Sequence, residues 1–291
     1  MTIPALPSYA MPTADEVAAN RVDWCIDPNR AVLLIHDMQD YFIDKYDRTQ
    51  APIPALIQAI GELRRAADLA GIPVVYTAQP TDQPDSDRAL LNDFWGPGLP
   101  GAPEQVNVVD GLTPADHDTV LTKWRYSAFQ RSPLRQMMSD QGRDQLIITG
   151  VYAHIGCMAS ALEAFMQDVQ PFFIVDALAD FSREEHLMAI NYVARRCGVS
   201  LDRHTALAAI GQPASHSAPD TLGWLRQEVA PLIEQSPEDI DPDDNLLFMG
   251  LDSMRMMTLA EQLTRQGRPV SFMALAENPT LNDWVALLDA A

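Results

Sequence analysis

The chain has 291 residues, 47% of them hydrophobic, which is enough for two domains with buried cores. Its 40 acidic and 20 basic residues give a net charge of −20, which argues against nucleic acid or an anionic membrane as a partner. No apolar run approaches the roughly 20 residues of a membrane span, and the N-terminus lacks the pattern of a secretory signal. The three cysteines are widely spaced and odd in number, so we expect no disulfide or zinc site and a place in the reducing cytosol.

Composition changes near residue 211. The segment 211–219 is rich in Gly, Pro and Ser, and residues 215–291 carry 13 acidic residues against four arginines. This asymmetry predicts a first domain over residues 1–210, a linker over 211–219 and a separate acidic domain over 220–291.

Short apolar runs alternate with helical patterns through the first domain. An amphipathic helix is predicted over Ile53–Ala70, and the capping box Ser182–Glu185 opens another. The alternation predicts a three-layer α/β/α fold around a mostly parallel sheet of about six strands. The second domain shows helical patterns alone, which predict a bundle of four short helices. The predicted strands are 31–35, 73–78, 120–122, 145–149, 172–175 and 199–201; the predicted C-terminal helices are 221–233, 253–266, 272–276 and 281–290.

Polar groups follow three of these strands. Asp37 follows the first strand, Lys123 follows the third, and the turn Gly150–Gly156 follows the fourth. In open α/β sheets ligands bind at the carboxyl ends of strands. Taken alone, Asp37 could instead cap the next turn. The convergence of the three positions favours a functional site.

The second domain contains a short motif at a predicted helix start. In Asn245–Met254, Ser253 follows an acidic residue, and on the residues alone it could be an N-cap. The segment resembles the Leu-Gly-x-Asp-Ser signature of acyl, peptidyl and aryl carrier proteins, with Met249 where Leu is commonest. The resemblance implies that Ser253 carries 4'-phosphopantetheine.

The first domain resembles the isochorismatase-like hydrolase superfamily over about residues 15–210. The segment from Asp37 to Phe42, the segment after Lys123 and the Gly150–Gly156 turn match its three catalytic segments. In most members these segments supply an Asp, a Lys and a nucleophilic Cys. Here the position of that Cys is Gly156.

This departure decides the expected chemistry. Without a nucleophile at Gly156, amide hydrolysis through a thioester is not available. Cys157 lies one residue later, where we expect a buried apolar filler. The Asp-x-His metal pattern of nicotinamidases is missing, so we expect no metal. Absence of the Cys marks the true isochorismatases, which cleave an enolpyruvyl ether.

That reaction needs a general acid. Protonation of the terminal carbon of the vinyl ether gives an oxocarbenium ion, to which water adds. We expect Asp37 to be the acid, in an apolar pocket to which Phe42 and Trp95 contribute and which favours its neutral form. The positive charge of Lys123 opposes that neutral form, unless substrate carboxylates beside Lys123 neutralise the charge.

The resemblance also implies a substrate pocket. Arg88 is the natural partner of a carboxylate, although on its own it could be a surface residue of a long loop. We expect Gly156 to leave room for the substrate and to offer a backbone N–H. His36 and His154 are interpreted as structural. The residues implied to contact substrate are Phe42, Gln79, Arg88, Trp95 and Tyr152.

The two-domain order resembles bifunctional isochorismatase–aryl carrier proteins of catechol siderophore synthesis, of the enterobactin type. The partners implied are isochorismate, a phosphopantetheinyl transferase, a 2,3-dihydroxybenzoate adenylating ligase and a condensation domain of a nonribosomal peptide synthetase. A homodimer in the cytoplasm is also implied. A docking face on the carrier is expected from Met254, Met257, Phe272 and Ala276, of which Met257 and Phe272 could instead be bundle core.

Three functions remain open at this point. The first is the bifunctional enzyme and carrier, and the second is a cysteine-hydrolase relative acting on an amide, which Gly156 disfavours. The third is a vestigial hydrolase body that only presents the carrier, which the presence of Asp37 and Lys123 disfavours.

Overall fold

The computed structural model describes residues 3–211, 221–233, 235–265 and 270–289. The chain divides into two compact units, Met1–Ala214 and Ser215–Ala291. Apart from Gly211, which ends a helix, the predicted linker lies outside the described residues, so its bounds stay a prediction. No helix among the described residues has both the length and the apolar character needed to cross a bilayer.

Six strands of the first unit, all within residues 3–211, form one sheet in which each neighbouring pair is parallel. The strand order is β3-β2-β1-β4-β5-β6. The predicted parallel sheet of about six strands is confirmed. The strands are β1 (Ala31–His36), β2 (Val74–Ala78), β3 (Thr119–Thr122), β4 (Gln145–Val151), β5 (Gln170–Ala179) and β6 (Val199–Leu201).

Helices connect these strands. The predicted Ile53–Ala70 helix ends as expected at Gly71, whose φ of 68° places it in the left-handed region that favours glycine. Ser182 caps its helix by accepting the Glu185 N–H at 3.2 Å. The helices of this unit are α1 (Asp40–Ile43), α2 (Ile53–Ala70), α3 (Asp85–Arg88), α4 (Leu91–Trp95), α5 (Leu134–Asp140), α6 (Met158–Met166), α7 (Arg183–Arg196) and α8 (Arg203–Gly211), with short 3-10 turns at Ala14–Glu16, Leu99–Gly101 and Pro103–Gln105 and a π turn at Ala153–Cys157.

Both faces of the sheet are covered. In β1, Leu33 and Ile35 pack on the side that holds α2 and α8, whereas Val32 and Leu34 pack on the side that holds α6 and α7. A strand buried on both faces has no polar side to alternate with, which explains the unbroken apolar run in the sequence. The three-layer α/β/α prediction is confirmed.

The sheet reverses its order around β1. The chain moves from β1 to β2 and β3 on one side, and then crosses to β4 on the other side. The gap beyond the carboxyl ends of β1 and β4 is therefore the topological switch point, where such folds bind ligands. His36, the last residue of β1, is in register with Thr77 of β2 and Gly150 of β4.

The described part of the second unit contains four helices and a 3-10 turn at Pro237–Asp239, and the predicted helical carrier domain is confirmed. Trp284 is fully buried at its centre, and its indole Nε1 donates to the Leu275 carbonyl at 3.0 Å. Thr280 caps the last helix by accepting the Asp283 N–H. The helices are α9 (Thr221–Ile233), α10 (Ser253–Arg265), α11 (Phe272–Glu277) and α12 (Leu281–Asp289).

Replacement of Trp284 by Ala removes the largest fully buried side chain among the described residues and leaves a cavity in this small core. We expect Trp284→Ala to lower the free energy of unfolding of the carrier unit by about 3–5 kcal/mol. The matched control is Phe248→Ala, since Phe248 is 91% exposed and should be close to neutral. Thermal unfolding of the full chain, followed by circular dichroism, measures both; equal shifts for the two variants would contradict the core assignment.

Candidate active site

Asp37 lies directly beyond the end of β1 and is only 4% exposed. Its φ of 51° turns the chain out of the strand, and Thr77 fixes the carboxylate. The Thr77 hydroxyl donates to Asp37 Oδ1 at 2.7 Å and accepts the Asp37 backbone N–H at 3.1 Å. Because one hydroxyl makes both bonds, the backbone and side chain of Asp37 are held as one unit.

Lys123 follows β3 and is 6% exposed. Its Nζ donates to Asp37 Oδ2 at 2.6 Å, and its backbone N–H donates to the Ala78 carbonyl at 2.9 Å. Removing two such charges from water is costly, and their mutual attraction offsets that cost only in good geometry. The pair is therefore confined to one arrangement, with the carboxylate bound from both sides.

A cavity opens beside this pair at the carboxyl ends of the strands. It lies where the topology predicts a ligand site. The residues predicted for catalysis and substrate binding all line it: Asp37, Phe42, Gln79, Arg88, Trp95, Lys123, Tyr152 and Gly156.

Arg88 is 3% exposed, at the end of α3. Its Nε donates to the Gly96 carbonyl at 2.6 Å and its Nη1 to Gln83 Oε1 at 3.1 Å. Within the described residues no carboxylate lies within ion-pair distance of it, and burial lowers its pKa. A buried guanidinium with only neutral partners is suited to bind an anion from outside the protein.

An aromatic wall forms one side of the cavity. The ring centroids of Tyr152 and Phe181 lie 4.7 Å apart, and those of Trp95 and Phe181 lie 6.0 Å apart, both edge to face. The Tyr152 hydroxyl donates to the Phe42 carbonyl at 2.9 Å, and burial raises the pKa of Tyr152 well above its usual value. The wall is therefore rigid, and its hydroxyl is neutral.

Gln79 presents its side chain to the same cavity. Its backbone N–H donates to Gln39 Oε1 at 2.7 Å, while its own Oε1 is buried without a hydrogen-bond partner in the part of the chain described. A buried carbonyl oxygen without a donor is costly, so this atom is ready to accept a hydrogen bond from a ligand.

The Gly156 expectation needs correction. The volume next to it is not left open for substrate, because a Cβ built on Gly156 would overlap His36 Cε1 and lie 2.8 Å from His36 Nε2. His36, interpreted from sequence as structural, also lines the cavity, with Nδ1 3.7 Å from Asp37 Oδ2. Cys157 is fully buried on the α6 side of the sheet, as expected for a filler, and burial raises the pKa of its thiol.

His154 lies outside the cavity lining, consistent with its structural interpretation. Its Nδ1 lies 2.5 Å from Asp180 Oδ1, and its backbone N–H donates to Asp180 Oδ2 at 2.7 Å. Asp180 thereby fixes the start of the Ala153–Cys157 turn to the end of β5.

Sequence reasoning missed several residues of the site. Thr77 gave no signal on its own, since its role depends on β2 lying next to β1. Arg125 lies two residues after Lys123, and its Nη1 donates to the Asp87 carbonyl at 2.7 Å. Tyr126, which accepts the Trp95 Nε1–H at 2.8 Å, and Phe181 were missed too. With Arg125 counted, the lining contains three cations and one carboxylate.

The second unit presents Ser253 at the start of α10 as an exposed residue. Asp252 caps this helix, since its Oδ1 accepts the N–H groups of Met254 at 3.0 Å and Arg255 at 2.9 Å. The Ser253 hydroxyl is therefore not needed as the cap. An exposed hydroxyl at a helix N-terminus fits attachment of a phosphodiester, whose negative charge is favoured there.

The residues predicted for docking differ in exposure. Met254 is 78% exposed and Met257 is 50% exposed, whereas Phe272 and Ala276 pack partly against the helical core. Phe248, which the sequence analysis did not single out, is 91% exposed.

Comparison with known proteins gives two family matches: the isochorismatase domain over residues 31–205, and the phosphopantetheine attachment site over residues 223–288. The chain belongs to the isochorismatase family. It is 53% identical over 289 residues to enterobactin synthase component B of Escherichia coli (strain K12), covering 99% of this chain and 98% of that protein. It is 49% identical over 298 residues to an isochorismatase of Bacillus subtilis (strain 168), covering 99% and 96%.

Among solved structures, a cysteine hydrolase from Pseudomonas syringae pv. phaseolicola 1448A matches with a TM-score of 0.58 at 21% identity, covering 65% of this chain and 96% of that one. This likeness supports the fold alone. The expected enzyme class, the isochorismatases, and the expected cofactor, 4'-phosphopantetheine, are confirmed by the family matches and the full-length relatives.

Loss of the Thr77 hydroxyl should disturb the carboxylate of this isochorismatase. Thr77→Val removes a hydrogen bond to a charged group, worth about 1.5–3 kcal/mol, and we expect kcat to fall about tenfold or more. Thr149→Val is the matched control, because Thr149 is equally buried and donates only to the Leu34 carbonyl, away from the cavity. Steady-state kinetics of both variants decides; equal kcat values would show that Thr77 does not act through Asp37.

Proposed function

We propose that this chain hydrolyses isochorismate to pyruvate and 2,3-dihydro-2,3-dihydroxybenzoate, with Asp37 as the general acid. Its carrier domain then holds 2,3-dihydroxybenzoate for enterobactin-type siderophore synthesis. The two full-length relatives, named an isochorismatase and component B of enterobactin synthase, support both activities. The observation that carries the proposal is the cavity itself, which combines three cations with one buried carboxylate and no thiol among its described lining residues.

Charge matching supports this substrate. Isochorismate carries two carboxylates, and the cavity lining has Arg88, Lys123 and Arg125 against Asp37. The lining is therefore positive by two charges on a protein whose net charge is −20. Arg88 suits one carboxylate because its planar fork binds in two places, and Lys123 or Arg125 receives the other.

The same charges surround Asp37. In the free enzyme Lys123 Nζ lies 2.6 Å from Asp37 Oδ2. A substrate carboxylate next to Lys123 offsets that cation, and the second substrate charge adds repulsion. With the dianion bound, Asp37 is the carboxyl group placed to deliver a proton to the enolpyruvyl group.

The reaction then follows from the substrate. The Asp37 carboxyl transfers its proton to the terminal carbon of the enolpyruvyl group, and the ether oxygen stabilises the resulting oxocarbenium ion. Water adds to the carbon bonded to the ether oxygen and loses a proton, and the resulting hemiketal collapses to pyruvate and the dihydrodiol. The aromatic wall of Tyr152, Trp95 and Phe181 limits bulk water around the acid.

Removal of the acid should abolish the reaction. Asp37→Ala is expected to lower pyruvate release from isochorismate by about 10²–10⁴-fold, the usual contribution of a general acid. Asp140→Ala, at the exposed end of α5, is the control and should match wild type. A fully active Asp37→Ala variant would make the acid assignment wrong. A wild-type protein that releases no pyruvate would leave a scaffold that only presents the carrier.

For the carrier domain we propose Ser253 as the attachment site. The attached 4'-phosphopantetheine supplies a flexible thiol that holds the aryl acid as a thioester. A phosphopantetheinyl transferase, a 2,3-dihydroxybenzoate adenylating ligase and a condensation domain are the proposed partners. Met254 and Met257 are the docking residues that exposure supports best, and Phe272 and Ala276 are proposed to share docking with core packing.

Substitution of Ser253 should separate the two functions. Ser253→Ala is expected to prevent the mass increase that follows incubation with a phosphopantetheinyl transferase and coenzyme A, while pyruvate release is unchanged. Ser271→Ala is the control, because Ser271 directly precedes α11 and caps it by accepting the Ala274 N–H. Intact-protein mass spectrometry reads the result; a mass increase in Ser253→Ala would move the attachment site to another residue.

We propose three further properties from the family resemblance. These are a homodimer through the hydrolase unit, a cytoplasmic location and a hydrolase that requires no metal.

A further inference from the structure

His36 connects three segments that meet at the active site. It is fully buried at the end of β1, and both of its ring nitrogens face carbonyl oxygens. Nδ1 lies 2.8 Å from the Val151 carbonyl and Nε2 lies 3.2 Å from the Tyr126 carbonyl. Val151 precedes Tyr152 of the aromatic wall, and Tyr126 lies three residues after Lys123. The ring therefore packs between the segment that carries the catalytic lysine and the segment that carries the wall, and in its neutral form it donates a hydrogen bond to one of the two carbonyls.

Two glycines are shaped around the same residue. A Cβ on Gly150 would overlap the His36 carbonyl oxygen and lie 2.8 Å from its backbone nitrogen, and Gly150 has a φ of 107°. A Cβ on Gly156 would overlap the His36 ring and lie 3.1 Å from the Tyr126 carbonyl. Both ends of the Gly150–Gly156 turn thus fit against one histidine, its backbone at the first glycine and its ring at the second.

The ring also adjoins the ion pair. His36 Nδ1 is 3.7 Å from Asp37 Oδ2, the oxygen that Lys123 binds. Burial lowers the pKa of His36, so the ring is neutral and adds no charge to the pair. Its contribution to Asp37 is therefore one of position: it fixes the backbone from which that carboxylate projects.

We propose that His36 is a positioning residue for the proton transfer. We also propose that its ring and Gly156 form a complementary pair, in which the ring fills the space that a nucleophilic side chain at position 156 would need. The inference rests on the proposed function, since it assigns His36 a role through Asp37. Loss of the ring frees the Lys123 segment and the Gly150–Gly156 turn from each other, and small displacements of a catalytic group have large effects on rate.

Kinetics of three variants tests the positioning role. His36→Ala should lower kcat on the order of 100-fold with a much smaller change in KM, because Arg88 still binds substrate. His36→Asn should recover part of kcat, since its amide can still donate to the Val151 carbonyl. His186→Ala is the matched control: His186 is also fully buried in this unit, contacts the Val175 carbonyl and Tyr9, and lies away from the cavity. The His186→Ala variant should be less stable than wild type but keep the wild-type kcat.

A double-mutant cycle tests the complementary pair. Gly156→Ala should lower the thermal unfolding midpoint in wild type, because its Cβ overlaps the ring, and should cost much less in the His36→Ala background. Additive effects of the two substitutions would overturn the pairing. A His36→Ala variant with the kcat of His186→Ala would overturn the positioning role while the proposed function stands. A wild-type protein that releases no pyruvate overturns the proposed function, and the positioning role with it.

Discussion

The buried pair of Asp37 and Lys123 is the interaction on which the site depends. The two residues follow strands that are not adjacent, β1 and β3, and β2 between them contributes Thr77 to the same carboxylate. Residues from three neighbouring strands or the positions just beyond them thus meet at the Asp37 carboxylate. The desolvation of two charges makes any looser arrangement unfavourable, so the sheet order and the site geometry specify each other.

The electrostatics of the chain change sign locally. A protein with a net charge of −20 has a cavity lined by three cations and one carboxylate. Fields in a cleft with apolar walls are focused, so the distant negative surface does not cancel this positive site. Hydrolysis splits a dianion into two monoanions, each of which meets only part of the positive charge. The charge arrangement that binds the substrate is therefore weaker toward either product.

Much of the fold and part of the site are predictable from the sequence, for identifiable reasons. The apolar runs predict the strands, and Asp37 and Lys123 directly follow two of these strands. β5 runs over Gln170–Ala179, beyond the predicted 172–175, because Asp176 interrupts the apolar pattern while bonding the Arg203 N–H at 2.7 Å. Thr77 and the volume beside Gly156 depend on strand order and on contacts between distant segments. No local pattern contains that information.

The ring that fills the space beside Gly156 has an evolutionary consequence. A cysteine introduced there would meet the His36 ring, and removal of His36 alone leaves a void with no nucleophile. Cys157 offers no shortcut, because it belongs to the core on the α6 side of the sheet. A thiol at position 156 thus requires at least two substitutions, one to introduce the cysteine and one to remove the His36 ring. The side chain that position 156 can hold is set by the residue at position 36.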